Sequence, residues 1–210
     1  MNKIFIAIPA FRYIEPDTRA SVERAISIRK NWELGAFKEL LHQSMICRAR
    51  NIFQKLFLDT DCSHLLFIDA DNVLLTPNAI DMLVSTRKEI IAGVYVFKDY
   101  PHKPAIRFLN KQDKENFDKE PIEGIFEVKY ASTGFMLIER GVFLTLNYPF
   151  PFRPYAVNGE YLSEDWAFCD RAAHSGYNIY CVGDKDLELG HLGLYPYTTR
   201  DYRRLKERGL

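Results

Sequence analysis

Cysteine is scarce in this chain: four residues in 210, at Cys47, Cys62, Cys169 and Cys181. None forms a C-x-x-C pair or a zinc-knuckle spacing, which excludes a disulfide framework and a structural zinc cluster as organising devices. Free, mostly buried thiols are expected. Excess charge of either sign is absent too, since 28 Lys plus Arg balance 28 Asp plus Glu. A chain built to grip long nucleic acid carries a basic excess, so a nucleic-acid polymer is not an expected partner, whereas a mononucleotide is compatible. No apolar stretch approaches the ~20 residues of a membrane-spanning helix. Pro9 and Arg12 interrupt the apolar start too early for a signal peptide. A soluble, cytoplasmic protein is expected. Internal repeats and low-complexity tracts are also missing.

What is present is an ordinary globular balance, 47% hydrophobic and 27% charged, at a length that suits one domain with a substantial core. Lys3 to Ile8 (KIFIAI) is a buried strand stopped by Pro9. Asp17 is placed to cap a helix running to about Lys30. Ala36 to Gln43 fits either a strand or a helix start. Ile46 to Leu58 has helical apolar spacing, and His64 to Ile68 (HLLFI) is a compact buried strand. Thr76-Pro77 has the composition of a helix start, and Glu89 to Phe97 is the next strand. Strand and helix alternate through this first half, which predicts an α/β sandwich with a largely parallel sheet.

The second half reads differently. Asn110 to Glu120 is a charged loop, FEVKYA and GFMLIE are strands, Glu164 to Ala173 is a helix, and Asn178 to Val182 is the last strand. The basic C-terminal segment is helical. In open α/β sheets ligands sit beyond the carboxyl ends of the strands. Pro9 to Tyr13, Asp69 to Asn72 and Val96 to Asp99 all fall at such ends and are expected to converge.

The chemistry-bearing residues follow from that placement. Asp69 and Asp71 leave a buried strand two residues apart, so both can face the same side. Two bare carboxylates there repel; a divalent cation between them removes the conflict, and oxygen ligands suit Mn2+ or Mg2+. Arg48 and Arg50 bracket Ala49 near a helix start, with guanidinium forks suited to phosphate or carboxylate. Ser163 is placed to cap the helix that opens with Glu164 and Asp165, and either carboxylate can take a proton from a hydroxyl. Trp166 beside them can stack on a sugar ring. His191 lies in Gly190-His191-Leu192-Gly193, where an imidazole can supply a further metal ligand and glycines permit close approach of the backbone to a ligand.

Taken in order, FIDADN, AGVYVFK, YASTGFMLIER, SEDWAFCDRAAHSGYNIY and GHLG resemble the small GT-A glycosyltransferases of bacteria, phages and large DNA viruses, and the ICRARN helix resembles theirs as well. The likeness runs from IFIAIPAF to GHLG and is thinnest over Asn110 to Glu123 and after Tyr195. It implies a Rossmann-like α/β/α sandwich over residues 1–210, with a nucleotide-sugar-binding half to about residue 100 and a smaller mixed acceptor half after it. It implies transfer from a nucleotide-diphosphate sugar, uridine being the expected base, to an acceptor hydroxyl of a glycan, with inversion. Pro9, Ala10 and Arg12 then lie against the nucleotide. Arg48, Asn51, Asp69 and Ala70 hold the donor, Asp71 and His191 ligate the metal with Asp69 assisting, and Gly134 and Phe135 line the sugar pocket. Asp165 or Glu164 serves the acceptor hydroxyl and Trp166 contacts the acceptor. The short stretch after Tyr195 departs from many such enzymes, which leaves acceptor binding the least defined part.

Two other readings use the same letters. An apolar strand followed by Asp-x-Asp is also the first motif of haloacid-dehalogenase-type phosphatases, with Asp69 as nucleophile, Asp71 as acid/base, and Gly183-Asp184 with Asp186 imitating the distal acidic motif. A non-catalytic sugar-nucleotide-binding module on the same fold is the second, because fold alone does not guarantee activity.

Overall fold

The computed structural model describes residues 1–209. The first half contains β1 (Asn2–Pro9), α1 (Pro16–Ser27), β2 (Trp32–Leu40), α2 (Ile46–Leu58), β3 (His64–Ile68), β4 (Asn72–Leu74), α3 (Ala79–Ser85) and β5 (Ile90–Gly93). Next come β6 (Ile106–Arg107), α4 (Lys111–Lys119), β7 (Ile125–Val128), β8 (Tyr130–Ala131), β9 (Phe135–Glu139) and α5 (Arg140–Leu146). The chain then forms β10 (Tyr155–Val157), β11 (Glu160–Leu162), α6 (Glu164–His174), β12 (Ile179–Val182), β13 (Leu189–Leu192), β14 (Pro196–Tyr197) and α7 (Thr199–Glu207).

A seven-stranded sheet in the order β2-β1-β3-β9-β5-β12-β7 forms the spine. β1 runs parallel to β2 and β3, and β12 parallel to β5, while β9 lies antiparallel between β3 and β5 and β7 is an antiparallel edge. Strand periodicity divides its side chains between two cores. Ile4, Ile6, Leu66, Ile68 and Leu137 face one side, with Val22 and Ala25 of α1 and Ile80 and Leu83 of α3 packed on them. Phe5, Ala7, Leu65, Phe67, Met136 and Ile138 face the other, under Phe53 and Phe57 of α2, Phe143 of α5 and Phe168 of α6. This second core absorbs much of the aromatic content. Phe152 stacks on Phe168 at 4.8 Å and meets Phe67 edge-on at 5.3 Å, and each buried phenyl contributes about 2–3 kcal/mol by leaving water.

Local structure departs from the sequence expectations at definable places. Asp17 does not cap α1: Glu15 is the capping position and Pro16 opens the helix, with Asp17 in its first turn. Ala36–Gln43 resolves as strand, but β2 starts at Trp32 and ends at Leu40. Thr76 caps nothing, since its hydroxyl accepts from Glu188 N–H and α3 starts three residues later. The segment read as a charged loop is helix α4, because Asn110 caps it by accepting from Asp113 N–H at 2.9 Å and Phe117 is fully buried. β12 is not the last strand, since β13 and β14 follow it. All four cysteines are free, and three of them are buried.

Arg140 ties the α2 side to the sheet. Its guanidinium donates to four carbonyls, Phe57 O at 3.0 Å, Leu58 O at 3.3 Å, Thr60 O at 2.6 Å and Cys62 O at 2.8 Å, and lies over the Phe57 ring at 4.6 Å. The carbonyls at and after the end of α2 thus receive a cation, as the helix dipole favours. Arg140→Ala is expected to lower the unfolding free energy by about 2–3 kcal/mol, read from the midpoint of urea denaturation. A midpoint equal to wild type would show that water replaces these bonds without loss.

Candidate functional site

The crevice lies where the strand-order argument places it. Pro9, Ala10, Phe11, Arg12 and Tyr13, running on from the end of β1, face Asp69, Ala70 and Asp71 after β3, enclosing a cavity of about 380 Å³ closed by Glu15 and Ile46. Glu15 N–H donates to Ala70 O at 2.9 Å and clips the two segments together. Phe11 and Tyr13 stand exposed at its rim, apolar area that a planar base can cover. The third segment joins through Lys98, whose ammonium donates to Asp71 Oδ2 at 2.5 Å.

The two aspartates have separate environments. Asp69 N–H donates to Gly134 O at 2.8 Å, and its Oδ1 accepts from Arg50 Nη2 at 2.8 Å. Arg50 is fully buried on α2 and its Nε also faces Glu164 Oε1 at 3.4 Å, with the Phe67 ring 5.2 Å beneath. Burial pulls the guanidinium pKa down, but Asp69 and Glu164 outweigh it and hold the pKa above its ordinary value. Burial pushes the Glu164 carboxyl upward, and Arg50 opposes that only in part.

Asp71 turns the other way. The short strand β4 pairs antiparallel with β13, putting His191 opposite Asn72, and Leu192 N–H donates to Asp71 O at 2.8 Å. His191 Nδ1 lies 2.8 Å from Val96 O, an acceptor only, so Nδ1 carries the proton. In the neutral ring the Nε2 lone pair then faces Asp71 Oδ2 across 3.6 Å. The Tyr95 ring meets the imidazole edge-on at 5.2 Å and holds its plane. A carboxylate and an imidazole lone pair facing each other form a gap suited to a cation, with the outer nitrogen oriented by a backbone carbonyl. Among the described residues no group of three or more His, Cys, Asp or Glu side chains is arranged to hold a metal. Two protein donors fit Mg2+ or Mn2+ where substrate phosphates and water complete the shell. Lys98 supplies the positive charge beside Asp71 in this structure.

At the start of α6, Asp165 Oδ1 accepts from the Ser163 hydroxyl and from Trp166 N–H at 2.8 Å. The expected Ser163 cap is therefore replaced by a bond that anchors one oxygen of Asp165. The other oxygen, Oδ2, has no hydrogen-bond partner among the described residues. Trp166 packs beside Tyr130 and under the Arg107 guanidinium, 4.5 Å from it.

Four expected contributors lie elsewhere. Ile46 and Arg50 share one face of α2, whereas Arg48 and Asn51 project to a separate groove beside Phe150 and Arg153. Asn51 is a fastener there, donating to Cys47 O and accepting from Phe152 N–H. Phe135 is fully buried in the sheet, with its ring in the α1–α3 core, and Gly134 is buried below Tyr95 and Asn72, whose atoms lie 2.3 and 2.5 Å from where a Cβ would stand. Neither lines the crevice; Gly134 positions Asp69 instead. Gly190 and Gly193 likewise make room for Pro196 and Tyr197, not for a ligand. Sequence reading placed Phe11, Tyr13 and Lys98 only as members of the converging segments and did not point to Glu15, Ile46 or Tyr95. Arg50 had a usable signal, a lone charge within the apolar stripe of α2.

The fold is the GT-A type of α/β/α sandwich, with a crevice at the strand ends. The chain is similar in structure to A197 from STIV, at 16% identity over 92% of this chain and 86% of that one, with a TM-score of 0.60. It is also similar to residues 1–349 of S. aureus TarS solved with UDP-GlcNAc, at 14% identity and a TM-score of 0.52, and to TarS in a larger structure, with a TM-score of 0.54. It covers 89% of itself in both but only 57% and 36% of those chains. No protein-family model and no curated protein matches the sequence. No helix among the described residues is long and apolar enough to cross a membrane.

Burial pushes the Asp71 carboxyl up, and His191 in its protonated form together with Lys98 outweighs it, holding the pKa at about 2. Because this lies below the ordinary carboxylate value of about 4, the stability it contributes is present above that range and is lost as pH falls toward 2. Lys98→Met is expected to raise the Asp71 titration midpoint in carboxyl-selective NMR. It is also expected to destabilise the fold at pH 7, by a margin that shrinks below pH 4. A margin independent of pH would detach Lys98 from this carboxylate.

Proposed function

We propose that this protein is a metal-dependent glycosyltransferase that binds a nucleotide-diphosphate sugar in the crevice between Pro9–Tyr13 and Asp69–Asp71 and transfers the sugar to an acceptor hydroxyl. The observation that carries the reading is the opposition of Asp71 Oδ2 and His191 Nε2 at 3.6 Å, beside a crevice formed by strand ends. A uridine donor is favoured by the structural similarity to a protein solved with UDP-GlcNAc and with UDP.

In this reading Phe11 and Tyr13 cover the base, Glu15 accepts from a ribose hydroxyl, and Arg12 faces the phosphates. Asp71 and His191 would hold Mn2+ or Mg2+, and that ion would supply positive charge toward the diphosphate leaving group. Lys98 moves from Asp71 to a phosphate oxygen as the donor enters. Arg50 keeps Asp69 and Glu164 in place. Asp165, anchored through Oδ1, takes the acceptor proton on its free Oδ2. The acceptor oxygen bonds to the anomeric carbon as the bond to the phosphate oxygen breaks, and the nucleotide diphosphate leaves with the electron pair. Attack opposite the leaving group inverts the centre, through an oxocarbenium-like transition state. The acceptor is expected to be a glycan.

The phosphatase alternative fits poorly. Asp69 accepts from the buried Arg50 guanidinium, whose charge lowers the nucleophilicity of that carboxylate. Asp184 is occupied by Arg203 and by Ile122 N–H, and Asp186 accepts from Gly124 N–H, so the distal acidic pair is structural. Turnover separates the enzyme from a binding module.

Thermal-shift measurements with UDP and Mn2+ test the donor site, since a ligand selective for the native state raises its melting temperature. Stabilisation by UDP that depends on Mn2+ and disappears in Asp71→Ala is expected; an unchanged shift in that variant would remove the metal assignment. Asp165→Asn is expected to keep the shift but lower turnover, or slow donor hydrolysis, by about 10²–10⁴-fold. Retained turnover would move the base elsewhere.

A further inference from the structure

Beside the donor crevice lies a larger cavity, of about 840 Å³, that the reading above does not use. The segment Val96–Lys98, which gives the crevice its His191 acceptor and its Lys98 ammonium, also walls this cavity through Phe97. Its opposite wall is Trp166, next to Asp165 on α6. The cavity is thus tied to the crevice through the Val96–Lys98 segment and to the first turn of α6 through Trp166.

Its lining is one-signed. Lys103, Arg107, Lys111, Lys114 and Lys206 line it, and no carboxylate does. The counter-ions stand behind them and are too few. Lys114 and Lys206 share the single carboxylate of Asp118, Arg107 pairs with Glu160, and Lys111 reaches Glu115 only at 3.6 Å. Lys103 has no acidic partner among the described residues. Five cations against three carboxylates leave a local excess of two positive charges in a chain whose formal net charge is zero. Phe97, Phe108, Trp166 and Tyr202 line the same cavity. Aromatic faces suit the C–H faces of sugar rings, and flanking ammonium groups suit charges carried at intervals along a chain.

We propose that this cavity is the acceptor subsite and that it takes an anionic glycan, one bearing phosphate or carboxylate groups. The proposal rests on the glycosyltransferase reading for the word acceptor, but the binding chemistry stands on the cavity alone. Lys103 and Lys111 are exposed and lie outside the donor crevice.

The test is equilibrium binding of four fluorescent probes to the full chain: a hyaluronan tetrasaccharide for carboxylate, a glycerol-phosphate tetramer for phosphate, cellotetraose as neutral sugar, and the oligonucleotide dT4. At least one anionic glycan probe is expected to bind about tenfold or more tightly than cellotetraose, and which one does so identifies the charged group. The Lys103→Glu/Lys111→Glu variant is expected to lose about tenfold of that affinity, and the milder Lys103→Gln/Lys111→Gln variant less. Both are expected to keep the wild-type circular dichroism and the Mn2+-dependent UDP shift. Equal binding of cellotetraose, unchanged affinity in the charge-reversed variant, or tighter binding of dT4 than of either glycan would each overturn the proposal. If the UDP shift is absent in wild type while charge-dependent glycan binding holds, the donor reading fails and this site survives.

Discussion

The site depends on one buried charge. Arg50 carries its guanidinium into the core on α2, where an unpaired cation costs several kcal/mol, and it is tolerated because Asp69 and Glu164 meet it from two other elements. Those partners are 19 and 114 residues away in sequence. The ion triad therefore fixes the end of β3 against the start of α6, which a purely apolar contact would do with less directional precision. A well-packed hydrophobic replacement at such positions is often no less stable. The value of the triad is in placement: it sets the orientation of Asp69, and it orders the first turn of α6, where Asp165 projects.

That constraint divides labour between two carboxylates that look equivalent as letters. Asp69 is drawn inward and neutralised, so it is a poor candidate to share a cation with Asp71. Asp71 is left at the crevice, where backbone pairing of β4 with β13 brings His191 to it. The imidazole is held on three sides, by Val96 O, by the Tyr95 ring and by its own strand. The mouth of the crevice thus keeps a negative oxygen and a lone pair face to face, with Lys98 as the mobile positive charge. The Lys98 ammonium already compensates the Asp71 carboxylate, so an entering cation would have to replace that contact.

Much of this was legible before any coordinates. The alternation of strands and helices predicts the sandwich, and α2 and β3 fall where apolar spacing puts them, because their buried faces are continuous and strongly periodic. The convergence of the three strand-end segments follows from topology alone. What escaped had a common cause: its determinants are non-local. Asn110 to Glu120 reads as loop because it is charged throughout, yet one buried Phe117 and the Asn110 cap suffice to make it helix. Arg48 and Arg50 are indistinguishable as residue types, and only the phase of α2 against the sheet decides which one is buried. Gly134 and Phe135 lie in a motif that resembles a pocket wall, but antiparallel β9 inserts them between β3 and β5, where they support the crevice from beneath.

Charge placement links the two cavities. In the proposed reading a nucleotide-diphosphate donor would bring negative charge to the Asp71 side, and an anionic acceptor would bring more from the Trp166 side. Two unit charges about 10 Å apart at an effective dielectric constant near 20 repel by about 1–2 kcal/mol, enough to weaken a ternary complex roughly tenfold or more. A protein with no net charge cannot offset this through its overall field. It has to concentrate cations locally, and Lys103, Lys111, Lys114, Lys206 and Arg107 line the larger cavity while Lys98 and Arg12 lie at the crevice. The zero sum over the whole chain therefore conceals a basic face, and charge in this molecule is informative only when counted cavity by cavity.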